Sequence, residues 1–152
     1  MAWRPDVILY DSVGRSTAVV EVKNRRGTSA EWAAELRRNL VAHGPAVAAE
    51  FFLVITPDRI YMWRGAGLDP RPVPPAAEVD AGPLFSPYFE MARVEAGSAS
   101  EQAFELVVGA WLADLARGVP AAAGASPEQR QRLDPQFFAA VRDGRIEYQA
   151  AA

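Results

Sequence analysis

Two short apolar runs open the chain: Val7-Ile8-Leu9-Tyr10, and Thr17-Ala18-Val19-Val20-Glu21-Val22. Between them lies the polar stretch Ser12-Val13-Gly14-Arg15-Ser16. Strand-forming runs separated by a short glycine-containing turn predict an antiparallel hairpin. Strand side chains alternate between faces, so Val19, Glu21 and Lys23 share one face and Val20 and Val22 the other. Both faces are largely apolar, which predicts a sheet covered on both sides. After the breaker Asn24-Arg25-Arg26-Gly27, Thr28-Ser29-Ala30-Glu31 matches the S/T-x-x-E capping box. It predicts a helix to about His43, stopped by Gly44-Pro45, with Trp32, Leu36 and Leu40 as its buried stripe. Glu35 and Arg38 are spaced to pair on its surface. Phe51 to Ile55 and Ile60 to Arg64 then read as two strands about a Thr56-Pro57-Asp58-Arg59 turn. The helix between the hairpin and these strands predicts a right-handed crossover.

From Gly65 to Pro87 the composition shifts. Prolines at 70, 72, 74, 75, 83 and 87 predict a stiff, extended connector with no core pattern of its own. Its aromatic end, Leu84 to Phe89, is expected to dock on the preceding layer. Gly97-Ser98-Ala99-Ser100 announces another helix. Phe104, Val107, Val108, Trp111, Leu112 and Leu115 hold the i, i+3, i+4, i+7 spacing of a buried face. Gly118 and Pro120 end it. A last helix opens at Ser126-Pro127 or Asp134-Pro135, anchored by Phe137, Phe138 and Val141 and stopped by Asp143-Gly144. Arg145 to Gln149 reads as a short terminal strand. The expected division is 1–66 for a core, 67–97 for the connector packed on it, and 98–152 for a C-terminal helical segment.

The length, 152 residues, suits one core of ordinary size, and half of the residues are hydrophobic. The absence of cysteine excludes disulfides and thiolate metal sites and favours a cytoplasmic setting. No leader pattern is present, and no apolar run approaches the roughly 18 residues of a membrane span. The net charge of −3 argues against a dedicated nonspecific DNA binder, while leaving room for a local basic rim.

Candidate chemistry gathers in the hairpin. Asp6 precedes the first strand, and Glu21 and Lys23 close the second, so the pairing brings the three to one end. Two carboxylates from neighbouring strands offer oxygen ligands to a hard cation such as Mg²⁺ or Mn²⁺. A lysine beside them can orient a water or stabilise charge on a phosphate oxygen. Asp11 reads as a cap on the hairpin turn. His43, the sole histidine, sits where an imidazole complements a helix C-terminus, and a histidine-based triad has no support. Trp63 and Trp111 read as core.

Pro5-Asp6 followed by Glu21-Val22-Lys23 resembles the signature of the PD-(D/E)XK, or restriction-endonuclease-like, nuclease superfamily. With the later strand-turn-strand ending in Trp63, it resembles the N-terminal nuclease-like domain of type I restriction enzyme R subunits. The resemblance covers about the first 65 residues. It implies an α/β fold, a mixed sheet flanked by helices, with the C-terminal helical segment as an extension. It implies Asp6 and Glu21 as metal ligands and Lys23 as the catalytic lysine, with DNA as substrate. Arg25, Arg26 and Arg15 are candidates for phosphate contact, and Asn39 for a polar residue from the following helix. Such cores carry a helix and a strand before the aspartate strand, and that helix often supplies a further acidic residue. Neither is expected here, which leaves the aspartate strand without its usual neighbour. The alternatives are a catalytically inactive module of the same fold, working through a protein partner or a second copy of itself, and a nucleic-acid binder without cleavage.

Overall fold

Each of the four strands predicted before Gly65 forms, and two more join them. The computed structural model describes residues 4–44, 49–65, 69, 71–124, 128 and 132–149. In chain order these give β1 (Val7–Tyr10), β2 (Ser16–Val22), α1 (Ala30–His43), β3 (Phe51–Ile55) and β4 (Arg59–Arg64). There follow β5 (Ala77–Asp80), α2 (Gly82–Ala92), α3 (Glu101–Ala116), α4 (Pro135–Val141) and β6 (Arg145–Tyr148). Short 3₁₀ turns lie at Ala96–Ser98 and Pro120–Ala123. The result is an α/β architecture around one mixed sheet of order β5-β4-β3-β2-β1-β6. Only β2 and β3 run parallel, joined through α1; the other neighbours are antiparallel.

Alternation along the strands sorts the side chains into two apolar layers. Val7, Leu9, Val20, Val22, Leu53 and Met62 point to the face covered by α2, α3 and α4. Val54, Tyr61 and Trp63 point to the other face, where α1 lies on them through Ala33 and Ala34. The register sets Glu21 beside Val54, so Glu21 belongs to the α1 face. Of the expected faces, that of α3 is the best matched. Phe104, Val107, Val108, Trp111, Leu112 and Leu115 are all buried, and Phe85 meets Phe104 and Trp111 edge-on.

Three expectations need correction. The cap of α1 lies one residue later than the capping box predicts: Ser29 Oγ accepts from the Trp32 amide at 3.1 Å. Thr28 instead shares a hydrogen bond with the Tyr61 hydroxyl at 2.7 Å, tying the start of the helix to the sheet. The most buried positions of α1 are Ala33, Ala34 and Arg37, with Trp32, Leu36 and Leu40 half-buried beside them. Two alanines let the helix approach the sheet closely. The Arg37 guanidinium lies over the Phe52 and Trp63 rings at 5.5 and 5.8 Å.

The proline-rich stretch is the second correction, because it contains β5 and α2. Pro83 falls in the first turn of α2, where a missing N–H is not needed, and Pro87 deprives the helix of one bond. Burial of Leu84, Phe85, Tyr88 and Phe89 outweighs that loss. The docking of Leu84 to Phe89 is as expected. The third correction concerns the position beside β1. It is filled by β6, paired from Val7↔Tyr148 to Tyr10↔Arg145. The last helix opens at Asp134-Pro135, with Asp134 accepting from the Gln136 amide. Pro45, Ala66-Gly67, Pro70 and Ser126-Pro127 lie outside the described residues.

Candidate active site

The hairpin places its turn and its open end far apart. At the turn, Asp11 accepts from the Val13 and Arg15 amides at 3.1 and 2.9 Å and from Arg15 Nε at 3.1 Å. The Arg15 amide first, and then the other donors, hold the Asp11 carboxyl below its ordinary value. Arg15 is thereby committed to the turn. Six residues along the strand separate it from Glu21, about 20 Å of strand.

The open end collects Asp6, Glu21 and Lys23. The β1–β2 register ends at Val7↔Val20, so Asp6, just before Val7, and Glu21, just after Val20, lie at the same end of the hairpin. Asp6 also replaces the ladder where β1 stops: its Oδ2 accepts the Val22 amide at 2.8 Å. That amide points toward β1 because its neighbour, the Lys23 amide, points to β3 and donates to Ile55 O at 2.9 Å. One carboxylate oxygen of Asp6 is thus fixed by the backbone of the strand that carries the other two residues.

Glu21 is 3% exposed. Burying a carboxylate costs several kcal/mol unless a partner compensates it. Lys23 Nζ lies 3.2 Å from Glu21 Oε1, and the lysine side chain is 38% exposed, so the ammonium spans from the buried carboxylate to the surface. Glu21 has further interactions of its own.

The loop after Lys23 wraps the site's edge. Asn24 Nδ2 donates to Ala99 O at 3.0 Å and Arg26 to Ala96 O at 2.7 Å, stitching the loop to the entrance of α3. The Arg25 guanidinium lies 5.6 Å from the centre of the Trp32 ring. Arg25 and Arg26 therefore stand beside the site, each resting on a neighbour. Arg37 is under α1, and Asn39, on the exposed side of the helix, accepts from Arg38 at 3.2 Å. His43 lies in the last turn of α1.

One residue near the site was not among the candidates. Glu105, on the exposed side of α3, has its carboxyl raised above the ordinary value, first by local desolvation, then by the Asp6 and Glu101 carboxylates; Lys23 opposes the shift. It is thus electrostatically coupled to both Asp6 and Lys23. Its position on an amphipathic helix carries no local sign of this, since exposed glutamates on helices are common. Among the described residues, no three acidic or imidazole side chains converge into a metal cage. Mg²⁺, however, characteristically keeps several waters and needs only one or two carboxylates, a demand that Asp6 and Glu21 fit.

No protein-family model, no curated protein and no solved structure matches the chain. No helix among the described residues is long and apolar enough to cross a membrane.

Proposed function

We propose that this protein is a metal-dependent nuclease-like domain that hydrolyses DNA phosphodiester bonds at the open end of the β1–β2 hairpin. The observation that carries the reading is the placement of Asp6 at the same end of the hairpin as Glu21, its carboxylate clamped on the Val22 amide. Asp6 and Glu21 would hold Mg²⁺ or Mn²⁺. The bound ion would supply Lewis acidity toward a phosphate oxygen and a water of lowered pKa. Asp6 presents its second oxygen from a fixed backbone position. Glu21 presents a buried carboxylate held beside the Lys23 ammonium. Lys23, anchored on Glu21 but reaching the surface, donates hydrogen bonds that orient a water or stabilise the charge that develops on phosphate. Arg25 and Arg26 flank the site where a DNA backbone would run. The site lies at the carboxyl ends of the parallel strands β2 and β3, a usual place for ligands in α/β sheets.

The test is cleavage of plasmid DNA by the purified protein with Mg²⁺ or Mn²⁺. Glu21→Ala and Lys23→Ala are expected to lower the rate by about two orders of magnitude or more. Cleavage that persists unchanged in both variants would reject the assigned roles.

One observation favours a second reading. The Glu21–Lys23 ion pair at 3.2 Å already compensates the buried carboxylate without a metal. On this reading the fold serves as a non-catalytic module that docks to another protein or to a second copy. Calorimetry with no Mn²⁺ binding, together with a stable protein complex, would establish it.

A further inference from the structure

We infer that the C-terminal strand is a working part of the candidate site, with the backbone amide of Gln149 as the group that positions Asp6. The ladder between β1 and β2 ends at Val7↔Val20. A residue beyond the last rung ordinarily frays, and a frayed aspartate samples many carboxylate positions. The β1–β6 pairing also ends at Val7, opposite Tyr148, yet on that side the Asp6 carbonyl still accepts the Gln149 amide at 3.0 Å. Asp6 is therefore held by its main chain on β6 and by its side chain on Val22. Each bond limits the freedom that would otherwise weaken the other.

β6 is itself braced. The Arg145 guanidinium lies 4.2 Å from the centre of the Tyr10 ring. Tyr148 crosses α3 at Gly109, where an added Cβ would stand 2.8 Å from the tyrosine hydroxyl oxygen. Gln149 Nε2 donates to Glu147 at 2.9 Å. Gly109 shares a helix face with Glu105, four residues earlier, the residue coupled to Asp6. Packing on α3 is thus passed through β6 to the backbone of Asp6. Separation of 143 positions, Asp6 to Gln149, hides this connection from local sequence patterns.

The inference rests on the metal-site reading only for the meaning of Asp6's position, and one readout is independent of metal. Hydrogen exchange of the Val22 amide in the full chain reports the Asp6 side-chain bond directly, with the Leu53 amide as a reference for the sheet centre. Gln149→Pro removes the donor, and so does a chain ending at Tyr148, which avoids proline strain if the first variant fails to fold. Gln149→Ala keeps the donor. The expected result is Val22 exchange about tenfold faster in the two donor-less chains, the value of one ordinary hydrogen bond, with Leu53 unchanged and Gln149→Ala like the parent. Calorimetric Mn²⁺ affinity should fall in parallel by about tenfold. Unchanged Val22 exchange in a folded donor-less chain would overturn the inference, as would faster exchange with undiminished Mn²⁺ affinity. A parent chain that binds no Mn²⁺ would refute the metal reading instead, and Val22 exchange would still decide the positioning role.

Discussion

Gly144→Ala tests the junction that brings β6 to β1. Gly144 follows α4 and precedes the first rung of β6, against the end of β1. A Cβ there would stand 3.0 Å from the Tyr10 carbonyl carbon and from Val141 O, and would overlap the Tyr10 carbonyl oxygen. All of these are backbone atoms, so no side chain can swing aside. The overlap can be relieved by shifting β1 against β6, which as overpacking costs about 1–3 kcal/mol. Alternatively β6 detaches, losing the four-residue ladder at roughly 1 kcal/mol per hydrogen bond. The two routes together span a loss of about 1–4 kcal/mol, a fall in Tm of roughly 2–16 °C for a chain of this size. Urea unfolding followed by tryptophan fluorescence measures it, and a thermal melt checks it. Gly97→Ala is the control. That glycine has open space around it and no positive φ, so its loss should stay within about 0.5 kcal/mol. If Gly144→Ala also costs less than about 0.5 kcal/mol, the close approach of β6 to β1 is wrong.

Other outcomes follow from the core and the charges. Phe104→Ala, at a fully buried position between Phe85 and Phe89, should cost about 3–5 kcal/mol in the same urea assay. Acid unfolding should be gradual and should begin as carboxylates held low in the folded state take up protons. Asp69, lowered to about 2 first by its hydrogen bonds to Arg71, and Asp11, lowered by its Arg15 contacts, both have this sign. Their contribution is present above the ordinary carboxylate pKa and is lost as pH falls from about 4 toward 2. Melts of the Asp11→Asn variant should show a smaller acid dependence over that window. Glu105 has the opposite sign: its raised carboxyl favours the folded state when protonated, and that contribution disappears as pH rises through the folded value. Glu105→Gln should therefore raise Tm slightly at pH 7 and leave it unchanged at pH 3, and a lower Tm at pH 7 would contradict the coupling.

Much of this fold was legible because its elements are locally specified. The α3 stripe is set by the spacing of Phe104 to Leu115, and Asp134-Pro135 opens α4 through an ordinary cap. The α1 cap was misplaced by one residue because Thr28 and Ser29 are both competent caps, and the tertiary bond to Tyr61 takes Thr28. Prolines concealed α2, since Pro83 and Pro87 read as breakers until the burial of Phe85 and Phe89 is counted. Nothing local could show that β6 would lie against β1. The strand reads as four residues of modest hydrophobicity, and its partner is set by the packing of Tyr148 on α3 and of Gly144 on Tyr10. At the site, the hairpin was enough to bring Asp6 and Glu21 to one end of the sheet. The anchoring of Asp6 on Val22, its tie to Gln149 and the proximity of Glu105 depend on distant chain segments.

The most direct measurement is a calorimetric titration of Mn²⁺ into the intact protein and its Asp6→Asn variant. Asparagine keeps the shape of the side chain and an oxygen able to accept the Val22 amide, while removing the charge. One Mn²⁺ per chain is expected for the parent, with an affinity at least roughly tenfold weaker for Asp6→Asn. Equal binding in both proteins, or none in the parent, would contradict a metal shared between Asp6 and Glu21.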